Sequence, residues 1–300
     1  MISGSDIHRA SGVASLDPGH YPRSHRACSS ELTMSLAPIS VATLAGMKAK
    51  GERIASLTCY DASFARLLDT AGVDLMLVGD SLGMVLQGHR TTVPVTLEQM
   101  VYHAACVSRG RERALLVVDL PFLACATPER AIDAAGRLMQ EGGAEVVKLE
   151  GGAPMLETVR RLTEQGVPVC AHLGLLPQSV HRIGGYRFQG RDHASAEAIR
   201  HDAIAMQEAG ASLLVLECVP AALASEIALT LTIPVIGIGA GAGCDGQVLV
   251  LYDMLGLNPG RPPSFSRNFM NGQGSVTDAL AAYVRAVKAR EFPGHDETPY

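Results

Sequence analysis

The sequence predicts an α/β chain folded as a closed (β/α)8 barrel, on three observations. Eight short apolar, β-branched runs recur along it, and longer amphipathic segments separate most of them. The runs are apolar throughout rather than alternating, as strands buried on both faces of a parallel sheet are. Eight such strands in one domain of 300 residues favour a closed barrel over an open doubly wound sheet.

Each element has its own local reason. Residues 1–38 show no apolar period and are expected to form a disordered extension. They lack the apolar core of a secretory signal, and Asp6, Asp17 and Glu31 count against a transit peptide. "VATLAGMKAKG" then has helical spacing and a glycine stop. The first strand, "RIASLTCYD", leads into the helix "ASFARLLDTAG". The second, "DLMLVGDS", precedes "TLEQMVYHAACVSRG", with Thr96 as N-cap and Glu98 in the first turn. The third, "ALLVVDLPF", precedes "TPERAIDAAGRLMQEGG", where Thr127 caps, Pro128 starts and Gly142 stops the helix. "EVVKLEGG" is followed by "APMLETVRRLTEQG". "VPVCAHLG" is followed by the longest irregular stretch, Leu175 to His193, and then by "SAEAIRHDAIAMQEAG". A loop of that length in a compact domain is usually functional. "SLLVLECVP" precedes "PAALASEIALTLT", and "IPVIGIGAG" and "QVLVLYDML" complete the set. The barrel is assigned residues 39–290, and residues 291–300, "EFPGHDETPY", read as a polar tail.

Composition narrows the function. A net charge of −5 gives no reason to expect nucleic acid or an acidic membrane as partner. Trp is absent, and no apolar stretch reaches the ~18 residues a membrane helix needs. Seven cysteines, an odd number with no CxxC pair, indicate a reducing, cytoplasmic compartment. "GIGAGAG" superficially fits a dinucleotide loop, but it lies late in the chain and another strand follows almost at once. A tight barrel turn, with backbone close to a ligand, is the preferred reading.

The strands end in charge. Asp61, Asp80, Asp119, Glu217 and Asp253 stand at or near strand ends; Lys148 and Glu150 lie in the fourth strand and His172 in the fifth. A barrel gathers all these ends on one face, where such enzymes place their chemistry. Lys148 and Glu150, two apart, point to the same side, with Val147 and Leu149 toward the helices. Asp61 reads as a helix cap, Asp253 as a loop acid, and His172 more readily as a satisfied core histidine than as a base. Taken singly, Asp80 and Asp119 fit helix caps as well as site acids. As a pair on adjacent strands they fit a hard cation, Mg²⁺ rather than Zn²⁺.

"TCYDASFA", "MLVGDSLGMVLQGH", "TTVPVTLEQMVYH", "VVDLPF", "VVKLEGG", "VPVCAHLGLLPQSV", "GGYRFQGR", "LLVLECVP" and "IPVIGIGAGAGCDGQVLVLYDMLG" occur in that order. The ordered set, roughly Ala42 to Asn268, closely resembles the ketopantoate hydroxymethyltransferase (3-methyl-2-oxobutanoate hydroxymethyltransferase) family. The resemblance implies a barrel of the phosphoenolpyruvate/isocitrate lyase-like type, usually a homodecamer. It implies transfer of a hydroxymethyl group from 5,10-methylenetetrahydrofolate to 3-methyl-2-oxobutanoate, giving 2-dehydropantoate for pantothenate synthesis, through a Mg²⁺-stabilised enolate. Carried over by motif, Glu217 is the catalytic proton acceptor. Asp80, Ser81, Asp119 and Lys148 contact substrate, and Asp80, Asp119 and Glu150 serve the metal. His172 is placed in the pocket. Leu176 and His181 depart from the family's usual Thr and Asn. Two alternatives stay open: a Mg²⁺-dependent oxo-acid lyase or phosphoenolpyruvate mutase on the same barrel, and a Schiff-base lysine at Lys148. A non-catalytic binding barrel would have lost some of these residues.

Overall fold

The computed structural model describes residues 37–258 and 260–298. The extension expected over residues 1–38 therefore lies outside the described residues, apart from its last two. The strands are β1 (Ile54–Thr58), β2 (Leu75–Val78), β3 (Leu115–Asp119), β4 (Val146–Glu150), β5 (Val169–Gly174), β6 (Leu213–Glu217), β7 (Val235–Ile238) and β8 (Gly246–Leu249). They pair in sequence order, all parallel, and β8 closes on β1. Each apolar run in the sequence supplies one of them.

Side chains divide by parity. Leu75, Leu115, Val117, Val146, Cys170, Leu213, Ile236 and Val248 fill the barrel, and Ile39, Leu44 and Met47 from the helix Val41–Ala49 and its approach join the same cluster. Val147 and Leu149 pack outward with the helices, as their spacing from Lys148 requires. The caps follow the sequence: Thr96 and Gln99 form a reciprocal capping box, and the Thr127 hydroxyl accepts the Arg130 N–H.

Three places differ from the sequence reading. First, β8 stops at Leu249 and Leu251–Met254 forms a helical turn, so Asp253 does not end a strand. Second, the glycine turn between β7 and β8, expected to bring backbone close to a ligand, packs against protein. The intervening turn has Gly239 and Gly241 at φ 60° and 76°. A Cβ on Gly241 would stand 2.5 Å from the Ala221 Cβ, and one on Gly239 2.8 Å from the Phe265 ring. These glycines let protein pack against protein rather than bring backbone to a ligand. Third, the stretch read as a polar tail is anchored: Phe292 is buried against Phe269 and Tyr283, and Arg267 holds Glu297.

Tyr283, on the helix Val276–Lys288, donates at 2.7 Å to the Ser56 carbonyl, with the Gln247 carbonyl 3.0 Å away, and so spans the β1–β8 seam. At the amino ends of the strands, Asp74 and Lys48 are each held by several partners. Asp74 accepts from the Ala55 N–H, Arg113 and Lys288. Lys48 donates to Asp245 and to the carbonyls of Ala228 and Ile233. Among the described residues, no helix is long and apolar enough to cross a membrane.

Asp61 proves to be a cap, its Oδ1 accepting from Ser63 and Phe64 N–H at 2.8 and 2.9 Å. Asp61→Ala should lower unfolding free energy by about 1 kcal/mol in urea titration. Turnover should be retained, in contrast to substitutions of the acids at the barrel's other strand ends.

Candidate active site

The carboxyl ends of the strands surround a cleft of about 890 Å³. Its floor is set by strand register. Asp119 and Lys148 are paired neighbours on β3 and β4, and Lys148 Nζ donates to Asp119 Oδ1 at 2.6 Å with both side chains buried. Burial would by itself lower the lysine's pKa. The carboxylates of Asp119, Glu150 and Asp80 outweigh it and hold the pKa above its ordinary value. Lys148 is thus a fixed ammonium ion.

The other Asp119 oxygen accepts the backbone N–H of Asp80 at 3.1 Å, which fixes the chain as it leaves β2. Gly79 is required there, because a Cβ would stand 2.9 Å from Ser81 Oγ. Asp80 is 3% exposed, and burial, then the charges of Asp119 and Glu150, push its carboxyl pKa well up. Ser81 Oγ lies 3.0 Å from the Tyr60 hydroxyl.

Glu150 and His172 are register partners on β4 and β5. His172 Nδ1 lies 3.6 Å from Glu150, and Nε2 lies 3.2 Å from Glu217 at the end of β6. Neither contact is aligned as a hydrogen bond. Burial and the Lys148 charge push the imidazole pKa down, but the two flanking carboxylates prevail and raise it to about 9. His172 is therefore cationic near neutrality.

Every residue singled out from the sequence for this site lines the one cleft: Asp80, Ser81, Asp119, Lys148, Glu150, His172 and Glu217. They are not arranged as a single cage. Among the described residues, no three of His, Cys, Asp and Glu converge to hold a metal. Asp80 and Asp119 adjoin, whereas Glu150 is turned to His172 and to the backbone N–H of Gln178.

Gln178 was missed. Its side-chain amide donates to Asp80 Oδ2 and to the Leu120 carbonyl, both at 2.9 Å, and its backbone N–H donates to Glu150 at 3.0 Å. One residue of the irregular stretch after β5 thus ties two acids of the ring together. The length of that stretch was the available signal. Tyr60 was missed as well, and only its position beside the first strand end pointed to it.

A family model described as ketopantoate hydroxymethyltransferase matches residues 38–295. The chain belongs to the ketopantoate hydroxymethyltransferase family. It is 60% identical over 255 residues to the 3-methyl-2-oxobutanoate hydroxymethyltransferase of Nitrosococcus oceani, covering 85% of this chain and 97% of that one. It is 58% identical to the enzyme of the same name from Alkalilimnicola ehrlichii, over 85% and 92% of the two chains. As a member of this family the chain is an enzyme, a hydroxymethyltransferase. Solved structures share the barrel fold. A putative phosphonomutase from Burkholderia cenocepacia superposes with a TM-score of 0.56 at 17% identity, over 71% of this chain and 95% of that one. A 2,3-dimethylmalate lyase superposes at 0.52 and 16%, over 72% and 82%. At those identities the likeness is one of fold.

Two outcomes are expected from this geometry. Gln178→Leu should reduce kcat/KM by roughly 10- to 100-fold, the cost of losing a hydrogen bond to a charged group, with the urea midpoint little changed. The raised imidazole pKa stabilises the fold fully below about pH 6.5, the ordinary value, and that stabilisation is lost as pH rises through about 9. Without added divalent cation, melting temperature should fall across that window in the parent protein more steeply than in His172→Gln.

Proposed function

We propose that the chain transfers a hydroxymethyl group from 5,10-methylenetetrahydrofolate to 3-methyl-2-oxobutanoate, giving 2-dehydropantoate and tetrahydrofolate with consumption of one water. It does so with Mg²⁺, in the cytoplasm, as a homo-oligomer. The reaction follows the names of its close relatives. Subunit association rests on the family resemblance. The cytoplasmic reading is supported by free thiols at the six described cysteines, five of them buried.

The observation that carries the metal reading is charge. Four carboxylates, Asp80, Asp119, Glu150 and Glu217, face two cationic side chains, Lys148 and His172. Two negative charges remain unbalanced in a largely buried site, and the Asp80 pKa is raised by burial first and then by the charges of Asp119 and Glu150. A divalent cation balances the two charges. The donors are hard oxygens, and Mg²⁺ is characteristically held by one or two carboxylates with water and substrate oxygens completing its shell. Asp80 and Asp119 are the residues to hold it, with Glu150 nearby. When bound, it supplies Lewis-acid stabilisation to negative charge developing on the 2-oxo group.

The chain's own residues do the rest. Lys148, locked to Asp119, presents a fixed positive charge to the oxo acid's oxygens and stabilises the enolate electrostatically. Ser81, steadied by Tyr60, offers a hydroxyl to the same oxygens. Glu217 takes the proton from C3, which is acidic because it adjoins the carbonyl. The resulting carbon nucleophile forms a C–C bond to the folate's one-carbon unit, and both C–N bonds of that unit break. Water supplies the oxygen of the new hydroxymethyl group, and the proton from C3 and one from water end on the two folate nitrogens. A Schiff-base route through Lys148 is disfavoured, because such a lysine needs a depressed pKa and this one is raised. The lyase and mutase alternative has support only from fold-level likeness, whereas relatives at 58–60% identity carry the transferase name.

Purified protein with 3-methyl-2-oxobutanoate, methylenetetrahydrofolate and Mg²⁺ should form 2-dehydropantoate. Chelation should stop turnover and Mg²⁺ restore it. Glu217→Gln should lower kcat by roughly 10²- to 10⁴-fold, the usual share of a general base, with oxo-acid binding preserved by calorimetry. Absence of product from the parent protein would reject the assignment.

A further inference from the structure

A single layer of side chains divides the cleft from the barrel interior. Four residues line both the cleft and a second, small cavity of about 10 Å³ inside the barrel: Leu77, Lys148, Val215 and Val248. They come from β2, β4, β6 and β8, one from each alternate strand, which is how barrels of this kind stack their interior layers. Three of them are apolar and buried, and the fourth is the lysine that holds Asp119. Such layers are usually filled by branched side chains. The unbranched stem of a lysine fills less of the layer, which accounts for a void at this level. The floor of the cleft is therefore one side chain thick, with empty space below it.

The reaction decides what rests on this floor. The oxygens of the oxo acid are drawn to Lys148, and its C3 has to come within reach of Glu217. Val215 stands two residues before Glu217 on β6, so both side chains point to the same side of the strand and Val215 lies beneath the carboxylate. Ile238, the register partner of Glu217 on β7, is inward as well and lines the cleft. C3 must also stay open toward the mouth, where the folate's one-carbon unit arrives. Its alkyl substituents are therefore turned to the apolar layer. We propose that Val215, with Ile238 beside it, sets the size limit for the groups carried on C3 of the 2-oxo acid. The two methyls of 3-methyl-2-oxobutanoate lie over the Val215 isopropyl group, and a longer branch collides with it. With Val215 shortened, that branch enters the void below. The inference rests on the oxo-acid reading of the site and on Glu217 as its base, and it adds the residue that selects among oxo acids.

The test compares 3-methyl-2-oxobutanoate with 3-methyl-2-oxopentanoate, one methylene longer at C3, as substrates of the intact enzyme. One methylene in an apolar pocket changes kcat/KM by roughly 10- to 200-fold. The parent enzyme should prefer the shorter acid by at least about tenfold, and Val215→Ala should shrink that preference by about tenfold. Val215→Ile should act in the opposite sense, shifting preference by about tenfold toward 2-oxobutanoate, which has one methyl fewer at C3. The ratio of two substrates on one protein is unmoved by a uniform loss of active enzyme, so it separates selection from damage. Thermal melts confirm folding of each variant, and should Val215→Ala fail to fold, Val215→Ile and Ile238→Val carry the comparison, the latter easing entry of the longer acid. The same preference in the parent and in the folded Val215 variants would overturn the inference, while turnover of 3-methyl-2-oxobutanoate would leave the assigned reaction standing. If the parent forms no 2-dehydropantoate, calorimetry with the two oxo acids reads the layer independently: a Kd ratio that Val215→Ala shrinks supports it, and an unchanged ratio rejects it.

Discussion

The Lys148–Asp119 contact is the constraint on which the site depends. At 2.6 Å, with both partners buried, it joins neighbouring strands at matched register. A buried charge pair seldom adds net stability, since desolvation offsets the attraction. Its value here is position. Asp119 has two oxygens: one is committed to Lys148 and the other receives the Asp80 backbone N–H. Fixing one aspartate therefore fixes a cation, the course of the chain after β2 and the neighbouring acid together. Slipping β4 by one residue would turn Lys148 and Glu150 out among the helices and bring Val147 and Leu149 inside.

The two ends of the barrel treat charge differently, and that difference separates scaffold from site. At the amino end Asp74 and Lys48 are saturated by partners within the chain. Nothing there is left to bind. At the carboxyl end the carboxylates outnumber the cations, burial and then the charges of Asp119 and Glu150 raise the Asp80 pKa, and both nitrogens of His172 lack an aligned partner. Stability and function thus occupy opposite faces, as expected for this architecture.

The strands were legible because a strand buried on both faces has a signal of its own, and the caps because an N-cap is a local event. Asp80, Asp119, Lys148, Glu150, His172 and Glu217 were legible as a group because a barrel brings strand ends together whatever their separation in sequence. What escaped was set by tertiary geometry. Gln178 matters through where the short 3-10 turn Pro177–Ser179 after β5 carries its amide, which no pattern encodes. Asp253 was misplaced because the apolar run continues unbroken from β8 into a helical turn. The glycines of "GIGAGAG" form the tight turn expected of them. They serve Ala221 and Phe265, neighbours visible only once the fold is closed. Phe292 was hidden in a segment polar by count, where one buried aromatic decides the packing.

The division of labour between His172 and Glu217 follows from the same electrostatics. In this class of site an imidazole is the habitual choice for a proton acceptor, because its ordinary pKa lies near neutrality. Here it stands between Glu150 and Glu217, and their charges raise its pKa to about 9. A protonated imidazole has two N–H donors and no lone pair to accept a proton. Of the two groups 3.2 Å apart, only the carboxylate of Glu217 retains an acceptor, and it is the more open of the pair, at 15% exposure against 2%. In the proposed reaction His172 gives the Glu217 carboxylate a fixed cationic neighbour while Glu217 faces the cleft. Residue type alone would favour the histidine as base; the surrounding charges favour the glutamate.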